Sequence, residues 1–274
     1  MRIAIQGEPG SFSHEVTLKV APDATIIPRE MSRDVFSALD EGMVNAAVIP
    51  IENSLAGSVA EHYDLLLTHD VAIESESLLR IRHNLIGMPG ARLERIRRVY
   101  SHPVALAQCR NFLAEHPGME AIPFYDTAGS VKQIIEQGDP TVGGIASAQA
   151  ASHYGGQILA QGIEDDPENY TRFFLIRRRK AVKPDLSPDK VSLAFTVENR
   201  PGTLVAALQV FANQGTNLTR IESRPVHGRP WEYVFYADYQ LSSPETADAA
   251  LALLAKHCSM VKELGRYRAA KKPA

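Results

Sequence analysis

An alternation of two periodicities constrains this chain more than any other feature. From Ile3 to about Arg177, short apolar runs recur between stretches with helical spacing. Ile3–Gly7 reads as a strand, Ser13 as the cap of a helix over 14–20, and Thr25–Ile27 as a second strand. Ser32 precedes the helical pattern Val35, Phe36, Leu39. Ala46–Ile51 is apolar throughout, as a strand buried on both faces of a parallel sheet must be. A helix over 58–68, with Tyr63, Leu66 and Leu67 on one side, leads to a long crossing strand at Leu79–Gly87. Strands at 98–100, 121–125 and 142–146 then alternate with helices at 103–114, 127–137 and 147–154, and Tyr170–Arg177 is a final strand. Repeated βα units predict an α/β sandwich of mostly parallel sheets.

The pattern changes across 180–189, where Pro184, Asp185, Ser187, Pro188 and Asp189 mark a linker. Val191–Val197 is a strand, and Pro201-Gly202 opens a helix with Leu204, Leu208 and Phe211 on one face. Leu218–Arg224 and Glu232–Tyr239 are strands. Ser243-Pro244 starts a helix with Ala247, Ala250, Leu251 and Leu254 in register, and Val261–Tyr267 closes the set. This order is βαββαβ, a ferredoxin-like unit. A length of 274 residues is enough for two such cores.

Composition narrows the function by exclusion. A formal charge of −3 gives no overall basic surface for nucleic acid. The basic runs Arg177-Arg178-Arg179-Lys180 and Lys271-Lys272 read as a solvated linker and tail. Cys109 and Cys258 sit in no zinc or CxxC spacing and read as two buried thiols of a reducing compartment. The chain begins on a strand, and no apolar segment approaches about 18 residues, so the expected location is cytoplasmic, with no membrane partner. The nine histidines show no metal-ligand pattern, and no glycine-rich phosphate loop occurs. Gly143-Gly144 reads as a strand end turning into the helix at Ser147.

Four strand-to-helix junctions share one chemistry: Gly10-Ser11-Phe12-Ser13, Glu52-Asn53-Ser54, Ser101-His102-Pro103 and Asp126-Thr127. Each puts hydroxyls or amides where helix N-termini leave N–H groups unpaired. In open α/β sheets the carboxyl ends of the strands form the ligand crevice, and helix N-termini favour anions. The expected site is a cleft for a small anion, lined by neutral hydrogen-bonders. Gln108 stands away from the Leu106/Cys109/Leu113 stripe of its predicted helix.

These runs have a familiar order. Gly7-Glu8-Pro9-Gly10-Ser11-Phe12-Ser13-His14, Pro50-Ile51-Glu52-Asn53-Ser54-Leu55-Ala56-Gly57-Ser58-Val59, Ser101-His102-Pro103-Val104-Ala105-Leu106-Ala107-Gln108-Cys109, Asp126-Thr127-Ala128-Gly129 and Asn169-Tyr170-Thr171-Arg172-Phe173 follow one another at characteristic spacing. Over about residues 2–270 the chain resembles the prephenate dehydratase family. The resemblance implies a bilobed, periplasmic-binding-protein-like catalytic domain over 1–179, with one lobe at 1–78 plus 160–178 and the other at 80–157. It also implies an ACT regulatory domain over 190–270.

The activity implied is that of a carbon–oxygen lyase without cofactor or metal. Prephenate loses CO2 and its ring hydroxyl to give phenylpyruvate, in L-phenylalanine biosynthesis. The resemblance gives Thr171 the catalytic role: its hydroxyl donates a hydrogen bond that strengthens as the leaving oxygen gains charge. Asn53, Ser101 and Gln108 match substrate-site positions, and Ser11, Thr127 and Arg172 join them. Arg172 faces away from Thr171 on an extended strand, which leaves it to substrate or to a structural carboxylate. The resemblance further implies that L-phenylalanine, as allosteric effector, binds Gly202, Thr203, Leu204, Val205, Glu222, Ser223, Arg224 and Pro225 at a subunit interface. That requires a homodimer or homotetramer. Two positions depart from the family pattern: Val104 stands where glutamine is usual, and Thr203 where alanine is usual. The alternatives are an arogenate dehydratase, with the same chemistry on the amino analogue, and a non-catalytic amino-acid-responsive binding protein.

Overall fold

The computed structural model describes residues 1–226, 228–241 and 243–271, so Lys272 of the C-terminal basic run lies outside the described residues. The chain divides into two units: Met1–Ala60 with Ser77–Phe173, and Glu61–Glu76 with Phe174–Lys271.

The first unit opens with β1 (Arg2–Gln6), α1 (Phe12–Val20), β2 (Thr25–Arg29), α2 (Ser32–Asp40), β3 (Ala46–Asn53) and the short β4 (Gly57–Ser58). The chain continues through α3 (Ala60–Thr68) and β5 (Val71–Arg80) to β6 (Asn84–Gly87), β7 (Arg98–Ser101), α4 (Pro103–Ala107), α5 (Arg110–Glu115), β8 (Glu120–Pro123), α6 (Thr127–Gln137), β9 (Val142–Ala146), α7 (Ala148–Tyr154), β10 (Gln157–Gln161) and β11 (Tyr170–Arg178). One sheet has the order β2-β1-β3-β11-β5, with β4 paired to β3; the other has the order β10-β6-β9-β7-β8.

The sequence pattern and the fold differ at several points. The sheets are mixed: β1 is parallel to β2 and β3, and β7 to β8 and β9, but β6 pairs antiparallel with both β9 and β10. The long crossing strand is two strands, β5 and β6, separated by Ile81–His83. β10, which the sequence pattern did not mark, supplies the edge of the second sheet. α1 is capped by Ser11, whose hydroxyl accepts the His14 N–H, and not by Ser13.

The helix expected over 103–114 breaks at Gln108-Cys109 into α4 and α5. The cause lies far along the chain. The Asp165 carboxylate accepts the N–H groups of Arg110 (3.1 Å) and Asn111 (2.9 Å), giving α5 an N-terminus of its own. Gly143 and Gly144 lie inside β9, not at a turn. A Cβ on Gly144 would stand 2.9 Å from Ser130 Oγ, so the missing side chain lets α6 approach the sheet. Gly10, at φ 91°, faces Ala150, where a Cβ would come within 2.7 Å of the Ala150 Cα.

The second unit contains β12 (Lys190–Thr196), α8 (Thr203–Asn213), β13 (Leu218–Pro225), β14 (Tyr233–Gln240), α9 (Pro244–Leu254) and β15 (Met260–Tyr267). Its sheet order is β13-β14-β12-β15, with every pairing antiparallel, as a βαββαβ chain requires. Val191, Leu193, Phe195, Phe211, Tyr239 and Leu254 fill its core. Residues 61–76 fold with this unit. Lys262 Nζ donates to the carbonyls of Leu66 (3.0 Å), Leu67 (2.7 Å) and His69 (2.8 Å), closing the C-terminal end of α3. The basic run after Phe174 is less solvated than its composition suggests: Arg177 pairs with Glu74 at 2.6 Å, and Arg179 donates to the Val71 and Glu263 carbonyls. Cys109 is buried, whereas Cys258 is half-buried.

Candidate active site

A cavity of about 870 Å³ opens in the first unit, where the C-terminal end of β3 meets the N-terminal end of β11. Thr171, Asn53, Gln108, Ser11 and Thr127 all line it. They arrive from separate elements: Asn53 ends β3, Thr171 is the second residue of β11, Gln108 caps α4, Ser11 caps α1, and Thr127 opens α6.

Three side-chain amides join in a closed ring. Asn53 Nδ2 donates to Asn169 Oδ1 at 2.7 Å, Asn169 Nδ2 to Gln108 Oε1 at 2.9 Å, and Gln108 Nε2 to Asn53 Oδ1 at 3.3 Å. The Asn53 oxygen also accepts the backbone N–H groups of Leu55 (3.0 Å) and Ala56 (2.8 Å), which fixes the orientation of that amide. Asn53 Nδ2 therefore also donates to Thr171 Oγ1, at 2.9 Å. Thr171 is 8% exposed, and among the described residues no protein atom accepts its hydroxyl proton. That proton is available to a ligand in the cavity.

Two expected residues lie elsewhere. Ser101 is fully buried and donates to the Ile145 carbonyl at 2.6 Å, so its hydroxyl is used inside the second sheet. Arg172 does not line the cavity; its guanidinium is buried 3.9 Å from the Glu52 carboxylate. Conversely, Asn169, which is fully buried, and His83 belong to the network without having been singled out as contacts. The position of Asn169 in the run before Thr171 was the available signal, since a side chain two residues away on a strand shares its face. His83 gave none. Val104 lines the cavity as an apolar, partly exposed wall.

The far end of the cavity is acidic. Tyr125 Oη donates to Glu8 at 3.2 Å, Tyr154 Oη at 3.4 Å, and Lys132 Nζ lies 3.4 Å from both Glu8 oxygens. Tyr125 is largely exposed, but partial desolvation, reinforced by the Glu8 charge and hydrogen bond, pushes its phenol up to about 12. Burial likewise raises the Asp126 carboxyl above its ordinary value, although the Gly129 N–H opposes this. His83 moves the other way: burial lowers its pKa, so the ring is neutral.

In the second unit, β13 alternates between two faces. Ile221, Ser223 and Pro225 are exposed, while Arg220, Glu222 and Arg224 turn to the half-buried side. There the Arg220 guanidinium lies 4.5 Å over the Tyr63 ring and pairs with Glu222. Arg224 grips Asp64 through two bonds, of 3.1 and 2.8 Å. Of the other predicted effector positions, Gly202 precedes α8 at φ 84° and Leu204 packs on the core. Val205 is exposed, and the Thr203 hydroxyl is engaged by the Glu198 and Arg200 carbonyls of its own loop.

Residues 3–181 match the model of a family described as prephenate dehydratase, and residues 191–238 that of the ACT domain. The chain belongs to the prephenate dehydratase family. It is 40% identical, over 97% of its length and 72% of the relative's, to "Arogenate dehydratase/prephenate dehydratase 1, chloroplastic" of Arabidopsis thaliana. Among solved structures it is similar to a prephenate dehydratase in complex with L-Phe from Arthrobacter aurescens, with 33% identity, a TM-score of 0.90, and coverage of 100% of this chain and 92% of that one. It is also similar to a structure described as "GqqA, a novel type of quorum quenching acylases", with 34% identity, a TM-score of 0.89, and coverage of 98% of both chains.

Proposed function

We propose that this protein converts prephenate to phenylpyruvate in the Thr171 cleft, as a step of L-phenylalanine biosynthesis, under feedback by L-phenylalanine at the ACT domain. In this reaction the electron pair of the breaking C–CO2 bond enters the ring, and the ring hydroxyl leaves. One proton is taken up, so the products are phenylpyruvate, CO2 and water. The product ring is aromatic, and the protein's task is to orient a dianion and assist the departing oxygen.

One observation carries this reading. Thr171 Oγ1 accepts from Asn53, so its own proton is directed to whatever occupies the cavity. A hydrogen bond from that proton strengthens as the leaving oxygen becomes hydroxide. The N-terminus of α1, capped by the neutral Ser11 hydroxyl, lines the cavity and favours the substrate's carboxylates. Asn53 and Gln108 hold the geometry, Ser11 and Thr127 supply further neutral contacts, and Ser101 and Arg172 act from outside the cavity.

Arogenate is the second substrate to test, because the Arabidopsis relative is named for both. The acylase description of one neighbour is a third possibility, but acyl transfer needs an activated nucleophile. Among the described residues, neither Ser11 nor Thr171 has an imidazole or carboxylate as hydrogen-bond partner. Feedback calls for assembly through the ACT unit, and a homodimer or homotetramer is the state we propose, in the cytoplasm. No helix among the described residues is long and apolar enough to cross a membrane.

The deciding experiment supplies the purified protein with prephenate and arogenate separately and follows CO2, phenylpyruvate and phenylalanine. Release of phenylpyruvate from prephenate is the expected result. Preference for arogenate transfers the assignment to the amino analogue. Binding of either ligand without CO2 release refutes catalysis and leaves a sensor.

A further inference from the structure

We propose that His83 is a positioning residue for this reaction: it fixes the orientation of the Gln108 amide, and so keeps intact the amide ring that seats Asn53 beside Thr171. This inference rests on the functional reading above and deepens it. His83 lies on the link between β5 and β6, lines the cavity, and is 2% exposed. Its backbone is held on both sides, the N–H donating to the Glu164 carboxylate and the C=O accepting the Ile163 N–H, each at 2.9 Å. The ring meets Phe12 edge to face, with centroids 5.6 Å apart, and its Nε2 lies 2.9 Å from Gln108 Oε1.

The direction of that last bond follows by elimination. An amide can be turned over, exchanging donor and acceptor. The Leu55 and Ala56 N–H groups allow only an oxygen at their end of Asn53. Gln108 must then face that oxygen with Nε2, which leaves its Oε1 toward His83 and Asn169. An acceptor oxygen demands a donor, so His83 carries its proton on Nε2. Its Nδ1 is buried with no partner among the described residues, and burial keeps the ring neutral. A proton on Nδ1 instead would set two acceptors face to face at 2.9 Å. Gln108 would be driven to turn over, setting its oxygen against Asn53 Oδ1 and its amide nitrogen against Asn169 Nδ2, so the ring that seats Asn53 beside Thr171 would lose two of its three bonds. His83 touches no reacting atom in this scheme; it acts through Gln108.

The first test needs no altered protein. Long-range 1H–15N NMR of histidine-labelled protein is expected to show His83 as the neutral Nε2–H tautomer, its signals assigned by their loss in His83→Gln. A neutral Nδ1–H ring, a rapid mixture of tautomers, or a doubly protonated ring at neutral pH overturns the proposal. The second test is kinetic. His83→Phe is expected to lower kcat by about 10- to 100-fold with little change in KM, since misplacement by an ångström costs up to about that much. His83→Gln, which restores an N–H near the Nε2 position, is expected to recover most of the loss. Wild-type kcat in a folded His83→Phe protein, or equal losses in both variants, overturns it. Should His83→Phe fail to fold, the tautomer and His83→Gln decide. An unaltered protein that shows the Nε2–H tautomer but turns over no prephenate defeats the functional reading, and with it any catalytic role for His83. The wrong tautomer in an active protein defeats the His83 proposal alone.

Discussion

The Thr171 cleft is organised by neutral amides, whereas the inner face of β13 in the second unit is organised by ions. In the cleft, Asn53, Asn169 and Gln108 satisfy one another in a ring that adds no charge. Buried polar groups that are fully bonded give a rigid, unique arrangement. Neutrality also suits the chemistry, because a fixed cation tight on the ring carboxylate would stabilise the ground state against CO2 loss. On the inner face of β13, Arg220, Glu222 and Arg224, together with Asp64 of α3, are partly solvated and paired by charge. Such pairs contribute only about 0–1 kcal/mol each, so they can be exchanged for other partners at small cost. One network is built to stay as it is. The other suits an effector-controlled equilibrium, in which a ligand shifts a balance between states.

The largest effect belongs to the cleft. Thr171→Ala is expected to lower kcat by roughly 10²–10⁴ with a smaller change in KM, while Thr171→Ser keeps much of the activity. Steady-state assays of phenylpyruvate formation measure this, and near-normal turnover by folded Thr171→Ala removes the hydroxyl from the mechanism. Asn53→Asp comes next. It keeps the size of the side chain but removes the donor to Thr171 and Asn169, and it puts an anion in the neutral ring. A fall in kcat of about 100-fold and a stability loss of about 1–3 kcal/mol are expected from kinetics and denaturant titration. Tolerance of this charge would mean that neutrality is not what the ring provides.

These two residues were legible in the sequence because each follows or opens a strand within a specific run. The amide ring itself was not. Gln108 is placed by a helix break that Asp165 enforces from more than fifty residues away, and a single 103–114 helix would have presented it differently. His83 was absorbed into a strand expected to cross from Leu79 to Gly87, whereas the chain interrupts that strand to deliver it. Ser101 shows the converse. Its place before a helix reads as a ligand contact, but pairing of β7 with β9 puts its hydroxyl against the Ile145 carbonyl. Glu222 and Arg224 were legible as a motif. Their partners were not, because nothing local says that residues 61–76 fold with the second unit.

The ionic face yields smaller effects on stability and larger ones on regulation. Asp64→Asn or Arg224→Ala is expected to change unfolding free energy by less than about 1 kcal/mol, as partly exposed pairs do. Inhibition by phenylalanine is expected to weaken on the order of 10-fold in Arg224→Ala, within the usual range of allosteric coupling. Activity titrated with phenylalanine and calorimetric binding test this together. A stability loss comparable to that of Asn53→Asp would erase the contrast between the two regions.

The smallest expected effect tests neutrality from the other direction, at the acidic end of the cavity. Asp126 caps α6 by accepting the Gly129 N–H at 2.7 Å, and burial raises its pKa above that of a free carboxylate. A raised folded-state pKa means that the ionised form opposes folding. That penalty is complete above the folded pKa and is relieved as pH falls through it toward the ordinary value of 3.8. The substitution Asp126→Asn keeps a capping oxygen without the charge, since asparagine caps helices about as well as aspartate. The variant is therefore expected to melt slightly higher than the parent at pH 7, with the difference vanishing by about pH 4. Thermal melts across that range read the sign directly. A variant less stable at pH 7 would show that the Asp126 charge is held favourably by the α6 N-terminus, and that the cavity's acidic end departs from the neutral design of the amide ring.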